Sequence, residues 1–359
     1  MAEKVVVGMS GGVDSSVAAM LLKEQGYDVI GVTMQIWQQE DEFTLETEGG
    51  CCGLSAVDDA RRVAECLQIP YYVMNFREIF RKCVMDYFAE EYYQGRTPNP
   101  CIACNRHVKW EALLQRSLEI GADYIATGHY ARVKQLPNGR YAIASSVTAE
   151  KDQTYALYNL TQQQLVHTLM PVGAYTKSEI RAMAEKAGLP VAHKKDSQEI
   201  CFVPDGDYAS FLKSYCGKVP PVGNFVTEDG RVLGQHKGII HYTIGQRRGL
   251  GLPMGRRVFV KEIRPETNEV VIGEGDAVFG SKVTAEQIHF MGIPPMEVGE
   301  SGRFTAKIRY GHKGAPCEIR RTGADTLEAV FDQPVRAATP GQALVFYQDD
   351  YVAGGGIIR

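Results

Sequence analysis

The chain has no apolar run long enough to cross a bilayer, no low-complexity tract and no internal repeat. Those absences argue against a helical membrane protein, a disordered scaffold and a solenoid. An excess of positive charge is missing too, since the formal net charge of the 359 residues is -4 at pH 7. That value does not advertise a nucleic-acid binder, yet Glu40-Asp41-Glu42 and the stretch Glu46 to Glu48 can mask a local basic surface, so RNA stays open. Met1-Ala2-Glu3-Lys4 carries no basic-then-apolar leader, and a cytoplasmic location is the expectation. In that reducing compartment the nine cysteines read as reactive, metal-binding or buried rather than as a disulfide framework.

What is present is a globular composition, 44% hydrophobic and 23% charged, in a chain long enough for two or three domains. The most informative segment is Gly8-Met9-Ser10-Gly11-Gly12-Val13-Asp14-Ser15, which joins the apolar run Val5-Val6-Val7 to a helical pattern. A glycine-rich strand-to-helix turn aims backbone N–H groups and the positive helix end at one point, where a phosphate chain can sit. No Lys-Ser/Thr pair follows the glycines, so this is not a Walker A loop. Asp14 and Ser15 stand there instead, a pair suited to a magnesium-bound pyrophosphate that leaves intact when AMP is transferred. The order Ser-Gly-Gly-Val-Asp-Ser resembles the PP-loop of ATP pyrophosphatases.

The first part of the chain alternates strand and helix patterns as a doubly wound parallel sheet does. Strands are expected at Lys4 to Val7, Tyr27 to Met34, Tyr71 to Phe76 and Tyr124 to Thr127. Helices are expected at Ser15 to Gln25, Ser55 to Leu67, Arg77 to Tyr93, Arg106 to Ile120, Gln162 to Met170 and Lys177 to Ala187. Pro137-Asn138-Gly139 marks a hairpin turn between Tyr130 to Val133 and Tyr141 to Ala144. From Val219 onward, short strands and glycine-containing turns suit small β domains. The division expected is an α/β catalytic domain over 1–204, a small central β-rich module over 205–278 and a C-terminal β-barrel over 279–359.

A second informative segment is Thr97-Pro98-Asn99-Pro100-Cys101-Ile102-Ala103-Cys104-Asn105, with a third cysteine in Ile200-Cys201-Phe202. Two prolines stiffen the approach to Cys104 and Asn105 is a candidate helix cap, which would set a thiol near a helix N-terminus, a position that favours thiolate. Cys-X-X-Cys alone fits half a zinc site, a redox pair or part of an iron–sulfur site. Four-cysteine zinc would need Cys51-Cys52 as the second pair, and that pair is adjacent rather than spaced.

Taken with Ala126-Thr127-Gly128-His129-Tyr130, Lys151-Asp152-Gln153, Lys195-Asp196-Ser197, His241 to Gly251 and Pro340-Gly341-Gln342, these segments resemble, full-length and collinearly, the MnmA/TRMU tRNA 2-thiouridylases. The resemblance implies a sulfurtransferase that uses ATP with Mg2+ to replace O2 of the wobble uridine by sulfur, in tRNAs for Lys, Glu and Gln. It assigns ATP to Gly8, Met9, Ser10, Gly11, Gly12, Val13, Asp14 and Ser15, with Met34 and Gly128 flanking the adenosine. Adenylation of the uracil oxygen precedes attack of sulfur on C2 and loss of AMP. In the family pattern the residue matching Cys201 carries a persulfide, and the one matching Cys104 releases its terminal sulfur by disulfide formation. The donor would be a persulfide protein such as a cysteine desulfurase or relay.

One position departs from the commoner family pattern, in which an aspartate precedes the nucleophilic cysteine by three; here it is Cys101. Cys101, Cys104 and Cys201 would supply three thiolates, enough for a [4Fe-4S] cluster with one open iron. Persulfide and cluster are thus two routes for the same sulfur. The resemblance also implies tRNA contacts at His129, Lys151, Asp152, Gln153, Arg309, Tyr310 and Gln342. Alternation sets Lys307 and Arg309 on one strand face for phosphates, with Tyr310 able to stack on a base, and Gln246, Arg247 and Arg248 together add positive charge between glycines as further candidates to face RNA. Nothing demands membrane contact or self-association, and a monomer is expected. The competing readings are another PP-loop ligase or amidotransferase-type enzyme, which needs no three-cysteine set, and a non-catalytic nucleotide-binding RNA protein.

Overall fold

The computed structural model of the protein describes residues 2–36, 54–195 and 200–359. Cys51, Cys52, Asp196 and Ser197 lie outside them, as do the acidic stretches near residues 40 and 47. Among the described residues no helix is long and apolar enough to cross a membrane.

Strands β1 (Lys4–Gly8), β2 (Asp28–Gln35), β3 (Tyr71–Asn75) and β4 (Tyr124–Ala126) pair in parallel, in the order β3-β2-β1-β4. Val5, Val6 and Val7 of β1 are fully buried because helices cover both faces, so a continuous apolar run suits this strand better than alternation. Helix α1 (Val13–Glu24) follows the glycine loop and buries Ser15 through Leu22 against the helix Lys177–Lys186 and the sheet. The parallel α/β expectation holds. After the hairpin β5 (Ala131–Gln135) and β6 (Tyr141–Ser145), the helix expected to reach Met170 stops at Val166, and Thr168–Leu169 becomes a fifth parallel strand, β7. Thr168 drives that change: its hydroxyl donates to Gln164 O at 2.6 Å and accepts from Trp110 Nε1 at 2.8 Å, tying the chain to the sheet edge.

The central module is a four-stranded sheet of β8 (Gly223–Val226), β9 (Val232–His236), β10 (Val258–Arg264) and β11 (Glu269–Glu274). Beyond it, β12 (Phe279–Phe290), β13 (Ser301–Lys307), β14 (Ala315–Gly323), β15 (Thr326–Arg336), β16 (Ala343–Gln348) and β17 (Tyr351–Ile358) close a six-stranded barrel through the β12–β17 pairing. The β5–β6 hairpin joins this barrel rather than the parallel sheet, by pairing of Ala144 with Tyr351 and by Arg132 on Asp350 at 3.0 Å. Catalytic-type domain and barrel are therefore stitched edge to edge.

Candidate active site

The glycine loop is fixed by contacts within the α/β domain. Gly11 has φ +67, and a Cβ there would lie 2.3 Å from Ala56 O, so only glycine allows the turn. Thr33 donates to Met9 O at 2.7 Å and accepts from Tyr71 at 2.8 Å, which locks the loop to β2 beside Met34. Ser10 N–H donates to Ser15 Oγ at 3.2 Å, and Ser15 and Ser16 hydroxyls turn back onto Gly12 O. The first-turn N–H groups of α1 lack helical acceptors and face the loop's mouth, the arrangement that binds a phosphate chain. Gly128 closes the other side: a Cβ on it would meet Ser15 N at 2.6 Å and the Asp14 carbonyl carbon at 2.7 Å.

Asp14 itself is engaged elsewhere. Its carboxylate accepts from Lys177 Nζ at 2.7 and 2.9 Å and from Tyr130 OH at 2.7 Å. In this arrangement the carboxylate braces α1 against the helix that begins at Lys177, and it lies at the head of α1 where a magnesium-bound pyrophosphate is expected. Lys177 and Tyr130 were not visible as site residues because the chain supplies them from 163 and 116 residues away.

Next to Gly128, His129 links the loop to the cysteine helix. Lys109 Nζ lies 2.8 Å from Asn105 Oδ1 and 3.4 Å from His129 Nε2, while His129 Nδ1 lies 2.7 Å from Thr127 Oγ1. An ammonium only donates, so Nε2 accepts and Nδ1 carries the proton. Burial, reinforced by the Lys109 charge, pushes the His129 pKa well below the ordinary imidazole range. The ring is neutral at physiological pH, and both nitrogens are engaged within the protein.

The cysteine helix starts earlier than its periodicity indicates. Asn99, not Asn105, is the cap: its side chain accepts from Cys101 N–H at 3.0 Å, with Pro100 preset at the first helical position. Asn105 is instead buried inside the helix and donates to Ala156 O at 2.8 Å. A π-helical stretch, Cys104–Leu113, then widens the turn. Its i to i+5 repeat sets Lys109 on the side of Cys104. Cys101 is exposed, while Cys104 and Cys201 are half-buried. Phe202 anchors Cys201 by edge contacts with Phe80 at 5.7 Å and Phe88 at 5.3 Å. Among the described residues no three His, Cys, Asp or Glu side chains are close enough to hold a metal ion. The cluster route drawn from Cys101, Cys104 and Cys201 does not fit this arrangement.

The barrel reaches into the same region. Thr97 N–H donates to Pro340 O at 2.8 Å, and Gln342 Nε2 donates to Thr97 O at 2.7 Å, across Gly341, whose Cβ would lie 2.9 Å from Thr97 N. The Thr97 hydroxyl also meets Thr243 of the central module at 3.4 Å. Tyr310 is half exposed, packs edge-on to Tyr155 at 6.3 Å, and its hydroxyl lies within electrostatic reach of Asp152, Lys151 and Cys101. Asp152 accepts from Thr154 at 2.7 Å and Lys307 at 3.4 Å, and Gln153 exchanges two hydrogen bonds with the Tyr130 backbone. Strand β13 ends at Lys307, so Arg309 does not share its face; Arg309 donates to Arg336 O at 2.7 Å. Thr97 and Lys109 join Lys177 and Tyr130 as site residues that the sequence reading passed over.

A glycine loop at the carboxyl end of a parallel sheet, a thiol-bearing helix beside it and two β modules behind it define a nucleotide-binding α/β enzyme with appended barrels. Residues 3–205 match the family described as tRNA methyl transferase HUP domain, 209–274 its PRC-barrel domain, and 280–358 an aminomethyltransferase beta-barrel domain. The tRNA-specific 2-thiouridylase MnmA of Lachnoclostridium phytofermentans is 65% identical over 356 residues, 99% of this chain and 99% of that protein. Those of Clostridioides difficile and Acetivibrio thermocellus are 54% and 56% identical, each covering at least 99% of both chains. The chain belongs to the tRNA-specific 2-thiouridylase family.

Proposed function

We propose that this protein is an ATP-dependent tRNA-uridine 2-sulfurtransferase acting on the wobble base. The observation that carries the reading is the Lys109–His129 contact, which joins the thiol helix to the residue next to Gly128 and so to the nucleotide loop. Adenylation and sulfur delivery would then take place side by side. A uracil carbonyl oxygen is a poor leaving group, so its transfer onto the α-phosphate of ATP, with pyrophosphate released into the Gly8 to Ser15 loop, turns it into one. ATP would be held by that loop with Met34 and Gly128 beside the adenosine, and Mg2+ would accompany the pyrophosphate.

Sulfur arrives as a persulfide on Cys201 from a donor protein. The Cys104 thiolate attacks the inner sulfur of Cys201; a Cys104–Cys201 disulfide forms and hydrosulfide leaves. Hydrosulfide adds to C2, AMP departs with the former O2, and 2-thiouridine remains. A reductant thiol restores both cysteines. Cys101, capped by Asn99 at the exposed start of the helix, is an auxiliary thiol in this scheme. Methyl transfer, which the wording of the family description evokes, has no use for that cysteine pair.

The domains divide the work: 1–204 carries the chemistry, 205–278 connects, and 279–359 binds tRNA. His129, Lys151, Asp152, Gln153, Arg309, Tyr310 and Gln342 border the surface where the anticodon stem-loop docks, and their internal hydrogen bonds hold that border in shape. Tyr310 supplies its exposed aromatic face. The protein acts as a cytoplasmic monomer on lysine, glutamate and glutamine tRNAs.

The test is incubation of unmodified lysine tRNA transcript with the purified protein, ATP and a persulfide donor, followed by nucleoside mass spectrometry. Formation of 2-thiouridine with stoichiometric AMP supports the reading. Pyrophosphate release that is indifferent to the wobble uridine would instead favour a different PP-loop ligase. Cys101→Ala that stays active free of iron supports the persulfide route, and activity that appears only after anaerobic iron–sulfide reconstitution overturns it.

A further inference from the structure

The loop from Gly245 to Val258 in the central module takes no part in the scheme above, yet it is tied to the site's edge. Thr243 touches Thr97, Gly245 N–H donates to Val260 O at 2.8 Å, and Arg336 donates to Gly245 O at 3.0 Å. Just beyond this anchor opens a cavity of about 500 Å³, lined by Arg247, Arg256 and Arg257 together with Leu250, Leu252 and Gly251. Its floor is apolar, with Leu250 and Val258 each 7% exposed, and its rim is cationic.

The charge balance there is one-sided. Arg256 pairs with Glu274 at 2.8 Å, but among the described residues Arg247 and Arg257 have no acidic partner. Three guanidinium groups thus face one carboxylate in a chain whose net charge is -4. Gly249 and Gly251 have φ +76 and +68, and a Cβ at Gly251 would meet nothing within 4 Å. Backbone bending rather than crowding calls for glycine, and Gln246 Nε2 holds the bend by donating to Arg248 O at 3.0 Å. A glycine-bent loop whose Arg247 and Arg257 forks have no acidic partner among the described residues is complementary to phosphate oxygens, which arginine grips in bidentate fashion.

We infer that this cavity is a binding site for the phosphodiester backbone of the tRNA, with Arg247 and Arg257 as its phosphate ligands and the apolar floor against ribose or base. The inference rests on the reading of tRNA as substrate. It extends the RNA track from the Thr97 junction onto the central module.

The test measures binding of unmodified lysine tRNA transcript to the full chain as salt is varied. For Arg247→Gln/Arg257→Gln the log–log salt slope should become shallower by about 1.4–1.8, and affinity near 0.1 M salt should fall about tenfold. Arg247→Lys/Arg257→Lys should keep the slope but lose affinity, because charge survives and the bidentate fork does not. An unaltered slope and affinity in the folded glutamine variant overturns this inference alone. Failure of the unsubstituted protein to bind the transcript overturns the tRNA reading as well. Inorganic phosphate competing as strongly as RNA fragments would assign the cavity to a free anion and also overturn it.

Discussion

The nucleotide loop and the cysteine region are neighbours built on opposite principles. Gly8 to Ser15 is shaped chiefly by its own strand, its own helix and two adjoining strands, with Gly11 and Gly128 required by close backbone approach. The cysteines are held from distant chain: Cys101 and Cys104 sit on a helix whose approach, at Thr97, is gripped by residues 340–342, and Cys201 is anchored through Phe202. A phosphate site built on backbone can be encoded in eight consecutive residues. A two-thiol site drawn from distant segments needs tertiary contacts to hold its parts, so the proposed sulfur transfer would depend on the barrel.

That contrast can be broken or sharpened. The largest effect belongs to Cys104→Ser or Cys201→Ser: 2-thiouridine formation, followed by nucleoside mass spectrometry, should fall roughly a thousand-fold or more, while tRNA-dependent pyrophosphate release continues. If both activities vanish together, the two regions are not separable. Gly11→Ala attacks the other region, and the strain of a non-glycine residue at φ +67 should lower stability by about 1–3 kcal/mol and abolish ATP binding, read by thermal unfolding and nucleotide titration.

Gln342→Ala removes the barrel's grip on Thr97 O, a loss of about 0.5–1.5 kcal/mol. Sulfur transfer should drop a few-fold to tenfold with adenylation spared; an equal drop in both steps would count against barrel control of the thiol helix. The pH response is smaller. His129, His236, His241, His289 and His312 all have pKa values lowered by burial, His241 to about 4. Below the ordinary imidazole pKa the unfolded chain binds protons that the folded chain refuses, so the melting temperature should fall as pH drops from about 6.5 toward 4. His129→Gln should flatten that fall. The smallest expected effect is Lys109→Met, which removes the secondary cause of the His129 shift; its 15N-detected pKa should rise while remaining below the ordinary value because burial persists.

Much of the fold was legible because its signals are local. Val5-Val6-Val7, the glycine loop and the alternation of strand and helix led to a parallel sheet of four of its five strands, and the Pro137-Asn138-Gly139 turn to a hairpin. Where the reading failed, a tertiary contact had overruled local pattern. Thr168 left the helix to bond Trp110, and Asn105 was drawn from a cap's role into the interior by Ala156 O and Lys109. The partners of Asp14, Lys177 and Tyr130, likewise come from distant chain and were beyond local pattern.

By itself the sequence determined the glycine loop, the alternation of strands and helices around it and the identity of the thiols, because glycine freedom, apolar periodicity and cysteine chemistry belong to the residue and its near neighbours. Only the tertiary structure decided that β5–β6 joins the distant barrel, that Gln342 holds Thr97, that His129 is a neutral acceptor for Lys109, and that two arginines with no acidic partner among the described residues line a cavity on the central module. Those are pairings across long stretches of chain. They arise where burial removes water and leaves each polar group to find whatever partner the fold brings near.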